Sequence, residues 1–259
     1  MKILILGAGK MGTWFAESLC LDHEVGIYDP VKERLKYIFN SHRLLSYEEF
    51  PEFGPELVLN AVDLQHTRKV FDEVLPYLSE ATILSDIASV KNGLQDYYMA
   101  SGRRFVSTHP MFGPTFGNVK NLSHENAIIV SESDEEGKAF FRNFYKSYSL
   151  RIFEYSFRQH DETIAYSLSI PFSSSLVFGS CMKNLEVPGT TFKKHLEISR
   201  GLMSEDNYLL SEILLNPFTL EQVQNIHNKL DELIQMIKRK DAEGIHQFFH
   251  EIRENIGMK

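Results

Sequence analysis

Short apolar runs punctuate the first 156 residues: KILILG (2–7), EVGIYD (24–29), ELVLNAV (56–62), ATILSD (81–86), RFVST (104–108), AIIVS (127–131) and RIFEYS (151–156). Each has the length and the β-branched content of a strand. Their apolar residues are consecutive more than alternating, the pattern of strands covered on both faces. Between most of them lie amphipathic segments of helical length, such as 10–21, 66–78 and 135–148. This alternation predicts an α/β fold with a mostly parallel sheet and helices on both sides.

After Ser156 the strand pattern stops, and residues 157–259 read as helices only: 158–186, 189–204, 206–215, 218–239 and 241–256. Pro188-Gly189 and Asn216-Pro217 separate them. Pro171 lies inside the first and predicts a kink. Two domains are expected, 1–156 and 157–259, with no linker rich in Gly or Ser between them.

Composition narrows the partners. The chain has 259 residues, 43% of them hydrophobic, with 27 basic and 35 acidic side chains and a net charge of −8. This balance argues against nucleic acid as the main partner, since phosphate backbones need a basic face. An anionic small molecule needs only a few local cations and stays open. Cys20 and Cys181 are far apart and outside any CxxC pattern, so no disulfide framework and no metal site are expected, and both read as buried apolar residues. The apolar run of MKILILGAGK is too short for a signal-peptide core, and no later run approaches a membrane span. The expected compartment is the cytoplasm, with no membrane partner.

The first strand opens directly into GAGKMG, with Gly7, Gly9 and Gly12 at GxGxxG spacing around Lys10 and Met11, and a helix follows. Such glycines serve a tight turn, close backbone approach to a pyrophosphate and close helix–sheet packing, while the helix N-terminus offers N–H donors to the phosphates. Asp29 stands 22 positions after Gly7 at the end of the second strand, the spacing of an acid that binds a ribose 2′-hydroxyl. A carboxylate there repels a 2′-phosphate and favours NAD over NADP; Lys32 and Arg34 nearby weigh the other way. These features specify a Rossmann-type, doubly wound sheet followed by an all-α domain. The alternative for Asp29-Pro30 is a turn that starts a helix.

Ligands of such sheets bind at the carboxyl ends of the strands. The loops there carry Ser89 and Lys91 (IASVK), His109 (HPMFGP), and Asp63 and His66 (DLQHT), with Asp63 on the cofactor side. Oxidising an alcohol requires removal of the hydroxyl proton as hydride leaves. Histidine suits that task because its ordinary pKa lies near neutrality. A neighbouring serine can hydrogen-bond the histidine or the substrate hydroxyl. The plainer alternative makes His109 a polar residue that ends a strand.

The segment DIASVKNGLQDYYMASGRRFVSTHPMFGP (86–114) resembles the active-site region of the prephenate dehydrogenase family, which includes arogenate and cyclohexadienyl dehydrogenases. HDETIAYS (160–167) resembles that family's start of the helical domain, and the likeness spans nearly the whole chain. The resemblance implies NAD-dependent oxidative decarboxylation of prephenate to 4-hydroxyphenylpyruvate, in tyrosine biosynthesis. It also implies a helical domain like that of 6-phosphogluconate dehydrogenase, through which the chain forms a homodimer. His109 matches the family's catalytic histidine and Ser89 the serine that assists it. The dicarboxylate substrate calls for cations. Arg200, in HLEISRGLMSEDN, is the candidate clamp, because guanidinium pairs bidentately with carboxylate. Lys91, Lys193 and Lys194 are secondary candidates, read otherwise as surface lysines.

Where many members carry an SHLPH-like segment, this chain has LSIPF (168–172). Ser169 and Ser173, four apart on one helix face, either line a polar substrate pocket or permit close helix packing. His160-Asp161 reads as structural, with Asp161 a first-turn acid that favours the helix dipole. His227, His246 and His250 read as surface or interface residues. The competing functions are an arogenate or cyclohexadienyl dehydrogenase, another two-domain hydroxyacid dehydrogenase or imine reductase, and an inactive dinucleotide sensor. IASVK and HPMFGP weigh against the last three.

Overall fold

The computed structural model describes residues 1–112, 122–183 and 186–258. Gly113 and Pro114 of the HPMFGP motif, and positions 184–185 at the end of the first expected helix, lie outside them. In chain order the first part contains β1 (Lys2–Leu6), α1 (Lys10–Leu19), β2 (Glu24–Tyr28), β3 (His42–Leu44), α2 (Phe50–Phe53), β4 (Leu57–Asn60) and α3 (Thr67–Val74). It continues with β5 (Ile83–Asp86), α4 (Leu94–Ser101), β6 (Phe105–Pro110), β7 (Asn126–Val130), α5 (Glu135–Ser147) and β8 (Arg151–Tyr155). The strands form one eight-stranded sheet in the order β3-β2-β1-β4-β5-β6-β7-β8. All neighbours are parallel except β6 and β7. The expected fold class is the one observed, and all seven expected strands are present. Among the described residues the one strand not expected, β3, is a three-residue edge strand, HRL, without an apolar run.

One apolar layer joins Ile3, Ile5, Phe15, Ile27, Leu59, Val106 and Phe141, and another joins Leu4, Leu6, Val58, Phe71, Leu84, Tyr98 and Phe105 on the opposite face. Alternate residues of the same strands feed opposite layers, as strands buried on both sides must. Buried polar residues gather at the carboxyl ends of the central strands: Asn60 on β4, Ser85 and Asp86 on β5, and Ser107, Thr108 and His109 on β6. Burying polar groups without partners is costly, so this band marks where the sheet holds chemistry.

The antiparallel step has a positional effect. Because β7 and β8 run opposite to β6, the chain leaves β8 at the end of the sheet where β6 begins. There the Phe157 ring lies 6.1 Å from that of Phe105. The helix that follows climbs back along β6 and brings His160 to His109.

The helical part comprises α6 (Phe157–Ile164), a π-helical turn (Ala165–Ser169), α7 (Ile170–Cys181), α8 (Thr190–Leu202), α9 (Asn207–Leu214), α10 (Thr219–Arg239) and α11 (Ala242–Asn255). The irregularity expected at Pro171 is the π turn just before it. Proline donates no N–H and its ring crowds the preceding turn, and a wider turn accommodates both.

The chain divides into two compact units, Met1–Thr163 with Asn207–Glu212, and Ile164–Asp206 with Ile213–Lys259. The expected break at 156/157 therefore falls seven residues early. Phe157 and His160, 3% and 0% exposed, are buried with the sheet, so α6 belongs to it. The continuous helix Phe157–Cys181 has 25 residues and a window of mean hydropathy 1.3, long and apolar enough by length and composition to cross a membrane. The sequence reading expected no such run, because Ser and Tyr interrupt the apolar residues without lowering the mean hydropathy much. Cys20 is half-buried and Cys181 exposed, not core residues as expected.

Candidate active site

The glycine loop follows from backbone geometry. Gly7 has φ +96°, a left-handed conformation that side chains disfavour, and a Cβ there would lie 3.0 Å from the Ala61 carbonyl oxygen. At Gly12 a Cβ would fall 1.9 Å from the Gly7 oxygen, so α1 approaches the β1 turn closer than any side chain permits. Gly9 differs, since a Cβ there meets nothing within 4 Å. Gly9 is also the N-cap of α1, with no side-chain cap and no acid in the first turn.

Helix α5 shows the contrast. There Asp134 accepts from the Glu136 and Gly137 N–H groups, and Glu135 and Glu136 follow. One helix start is satisfied by its own acids. The other, at Gly9, Lys10, Met11 and Gly12, leaves its N–H donors and positive dipole end for an anion. These residues fit a dinucleotide pyrophosphate.

Asp29 is placed less simply than its spacing suggests. It is 2% exposed. Its Oδ2 accepts from the Ala8 N–H and its Oδ1 from the Val31 N–H, each at 2.8 Å, and Arg34 Nη1 lies 3.4 Å from Oδ2. The carboxylate therefore fastens the glycine loop to the end of β2. Asp63 is exposed after β4, in a loop shaped by Asn60, whose Nδ2 donates to the Thr67 carbonyl at 2.9 Å.

At the end of β6, His109 is 7% exposed. Its Nδ1 lies 3.0 Å from His160 Nε2, and His160 Nδ1 lies 3.0 Å from Asp161 Oδ1. The partner of His109 Nδ1 is thus His160, not Ser89, which sits half-buried in the loop after β5. The structural reading of His160-Asp161 is corrected: α6 has no acid in its first turn, and the pair joins His109. Sequence alone could not show this, because 51 positions separate the two histidines.

Beneath them Lys91 is fully buried, against the surface reading. Its Nζ donates to Asp86 Oδ1 at 2.5 Å and to the Thr108 carbonyl at 2.8 Å, and Tyr98 donates its hydroxyl to Asp86 Oδ2 at 2.7 Å. Lys91 is engaged inside the fold by Asp86 and Thr108, which corrects both the surface expectation and the secondary one of a substrate-facing cation. Its backbone N–H also donates to the Asp161 carboxylate.

Burial decides the charges. It pushes His109 well below the ordinary value and His160 down to about 3, with the nearby Lys91 ammonium acting in the same direction on both. Burial pushes Asp161 up to about 6, opposed by the Lys91 N–H and charge. Each histidine takes up a proton near pH 6.5 when unfolded but stays neutral when native. Its contribution to stability is complete above that pH and lost as pH falls. Asp161 has the opposite sign, contributing fully below pH 3.8 and losing this as pH rises through about 6.

Between about pH 4 and 6 the unfolded chain binds roughly one more proton at these three groups, so stability should fall by about 1 kcal/mol per pH unit on acidification. Urea titrations across this range test it, and His160→Gln should flatten the slope. An unchanged slope would mean that His160 is not buried as a neutral ring.

In the second unit, Ser169 is fully buried. Its Oγ lies 2.6 Å from Thr219 Oγ1 and 3.3 Å from the Ile213 carbonyl, to which Thr219 also donates at 2.9 Å. Its one proton is committed within this buried cluster, which favours the helix-packing alternative for Ser169 over the substrate pocket. The Oγ of Ser173 is buried without a hydrogen-bond partner. Arg200 is exposed in the last turn of α8, and Lys193 and Lys194 are exposed on the same helix. Among the described residues, no group of three or more His, Cys, Asp or Glu could hold a metal ion.

Comparison with known proteins agrees with this geometry. Residues 32–147 match the sequence model of the family described as "Prephenate dehydrogenase, nucleotide-binding domain", a segment that includes Ser89, Lys91 and His109. The "Probable arogenate/prephenate dehydrogenase" of Methanocaldococcus jannaschii is 23% identical over 99% of this chain, which spans 61% of that protein's length. The prephenate dehydrogenase of Lactococcus lactis is 24% identical over 96% of this chain and 75% of its own. The crystal structure of prephenate dehydrogenase from A. aeolicus, in complex with hydroxyphenyl propionate and NAD+, superposes with a TM-score of 0.84 at 21% identity, covering 98% of this chain and 96% of that one. The matched segment, the two relatives along almost the full chain and the shared fold agree in making this chain similar to the prephenate dehydrogenase family.

Proposed function

We propose that this chain catalyses the NAD-dependent oxidative decarboxylation of prephenate to 4-hydroxyphenylpyruvate, a step of tyrosine biosynthesis. The observation that carries the reading is His109: buried, held neutral, and fixed at the rim of the sheet whose glycine loop forms the uncapped cradle. A neutral imidazole can take a proton, which an imidazolium cannot.

NAD, when bound, accepts the hydride from the ring carbon that bears the hydroxyl. The first-turn N–H groups of α1 would hold its pyrophosphate. Asp29 supports NAD over NADP, because its carboxylate would repel a 2′-phosphate. His109 takes the hydroxyl proton as the carbonyl forms. Loss of CO2 then drives aromatisation, and the same histidine returns its proton to the phenolic oxygen, so no proton is gained or lost by the protein. Ser89 would hydrogen-bond the substrate hydroxyl, since His160 already occupies His109 Nδ1. Arg200, an exposed cation on α8, would clamp a substrate carboxylate. A cytoplasmic homodimer completes the reading, supported by exposed apolar residues such as Ile237 and Phe249 on α10 and α11.

An NADH-production assay that compares prephenate with arogenate, and NAD with NADP, tests the proposal. Turnover of prephenate with NAD is the expected result. Preference for arogenate would move the substrate assignment, and no turnover of either would overturn the reading.

A further inference from the structure

We infer that Asp161 and His160 are positioning residues that fix the tautomer of His109, placing its one proton on Nδ1 and leaving Nε2 as the base. The inference rests on the dehydrogenase reading for its catalytic meaning, although the tautomer itself does not depend on it.

The argument is one of hydrogen-bond polarity along Asp161 Oδ1, His160 Nδ1, His160 Nε2 and His109 Nδ1, with both links at 3.0 Å. An ionised carboxylate only accepts, so His160 Nδ1 must carry the proton. A neutral imidazole has one proton, so His160 Nε2 presents a lone pair. The 3.0 Å contact to His109 then requires His109 Nδ1 to donate. The single proton of His109 is thereby used, and Nε2 is bare.

Burial supports the neutrality of both rings, and Asp161, though pushed up to about 6 by its own burial, is ionised at neutral pH. His160 is 0% and His109 7% exposed, so water does not offer either ring an alternative partner freely. The Lys91 ammonium, paired with Asp86 beneath them, disfavours a second positive charge on either ring. All the groups belong to one compact unit, Met1–Thr163, so the chain is built by a single fold. When Nε2 takes the substrate proton, the Nδ1–H bond to His160 remains and no further proton has to move. The relay orients the base and supports its charge without consuming a proton.

The test compares Asp161→Asn with Asp161→Ala. In Asp161→Asn the Lys91 N–H retains the amide oxygen, so the NH2 group faces His160 Nδ1 and donates to it. His160 must then carry its proton on Nε2, which forces the proton of His109 onto Nε2 as well and removes the base. The expected loss in kcat is at least about 100-fold, with KM changed less than about threefold. Asp161→Ala removes more atoms but imposes no tautomer, and should lose only about tenfold.

Histidine ring 15N shifts of the protein without substrate read the tautomers directly. Nδ1–H is expected for both rings in the wild type, and Nε2–H in the Asn variant. A loss in Asp161→Ala equal to or greater than that in Asp161→Asn, or identical 15N tautomers in wild type and Asn variant, would overturn the inference. Because the 15N measurement needs no turnover, an inactive wild type would sink the dehydrogenase reading while the ring tautomers still decided this one.

Discussion

Replacing His109 with Asn is expected to lower kcat at least about 100-fold, the usual contribution of a positioned acid–base group. The substitution is chosen for its geometry. An asparagine amide reaches about as far as the imidazole Nδ1, so the 3.0 Å contact with His160 can be kept while Nε2 is deleted. The uncapped start of α1 lies on a different loop, so nucleotide affinity should be unchanged. Substrate affinity should also survive, because the clamp on the carboxylates is assigned to a cation. Steady-state kinetics with NAD and prephenate, together with direct titration of NAD, separate these quantities. A loss in kcat smaller than about tenfold would mean that another group takes the hydroxyl proton. A loss confined to KM would make His109 a binding residue.

The second large effect separates two glycines three positions apart. In Gly12→Ala the new Cβ meets a backbone oxygen 1.9 Å away, and backbone cannot turn aside as a side chain can. Helix α1 has to move off the sheet. Overpacking of this kind costs about 1–3 kcal/mol, which for a chain of this size lowers Tm by roughly 2–12 °C. Because the displaced helix also carries the anion cradle, nucleotide binding should be lost.

In Gly9→Ala the Cβ meets nothing, so the fold should keep its Tm. The methyl group would stand where the pyrophosphate must approach, however, and NAD affinity should fall at least about tenfold. Thermal unfolding and calorimetric NAD titration of both variants make the comparison. If Gly9→Ala bound NAD normally, the cradle would lie elsewhere. If Gly12→Ala were stable and bound NAD, the close approach of α1 to the β1 turn would be wrong.

Much of the fold was legible because buried parallel strands are written as continuous apolar runs. β1, β4, β5 and β6 are buried along almost their whole length and were visible as such. β3 was not, because a three-residue edge strand needs no apolar run. At the site, the rim residues could be named from motif and topology, but their partners could not. His109 and His160 meet because β7 and β8 reverse direction, a property of pairing that no local pattern carries. Lys91 reads as surface because lysine is rarely buried unpaired; its partner Asp86, five residues away, ends the strand before it. Ser169 pairs with Thr219 across 50 positions. In each case the residue type was visible and its companion was not.

The Asp86–Lys91 pair constrains how this protein can change over time. Both side chains are 0% exposed, and each is the other's counter-charge. Losing one strands a bare charge in the interior, which typically costs about 3–5 kcal/mol, whereas exchanging both for well-packed apolar residues is often neutral. Most domains have a margin of only about 5–15 kcal/mol, so a lineage that passes through either single replacement risks unfolding the unit. Among descendants, positions 86 and 91 should therefore be inherited together or replaced together, with Tyr98 following Asp86 because its hydroxyl donates to the same carboxylate.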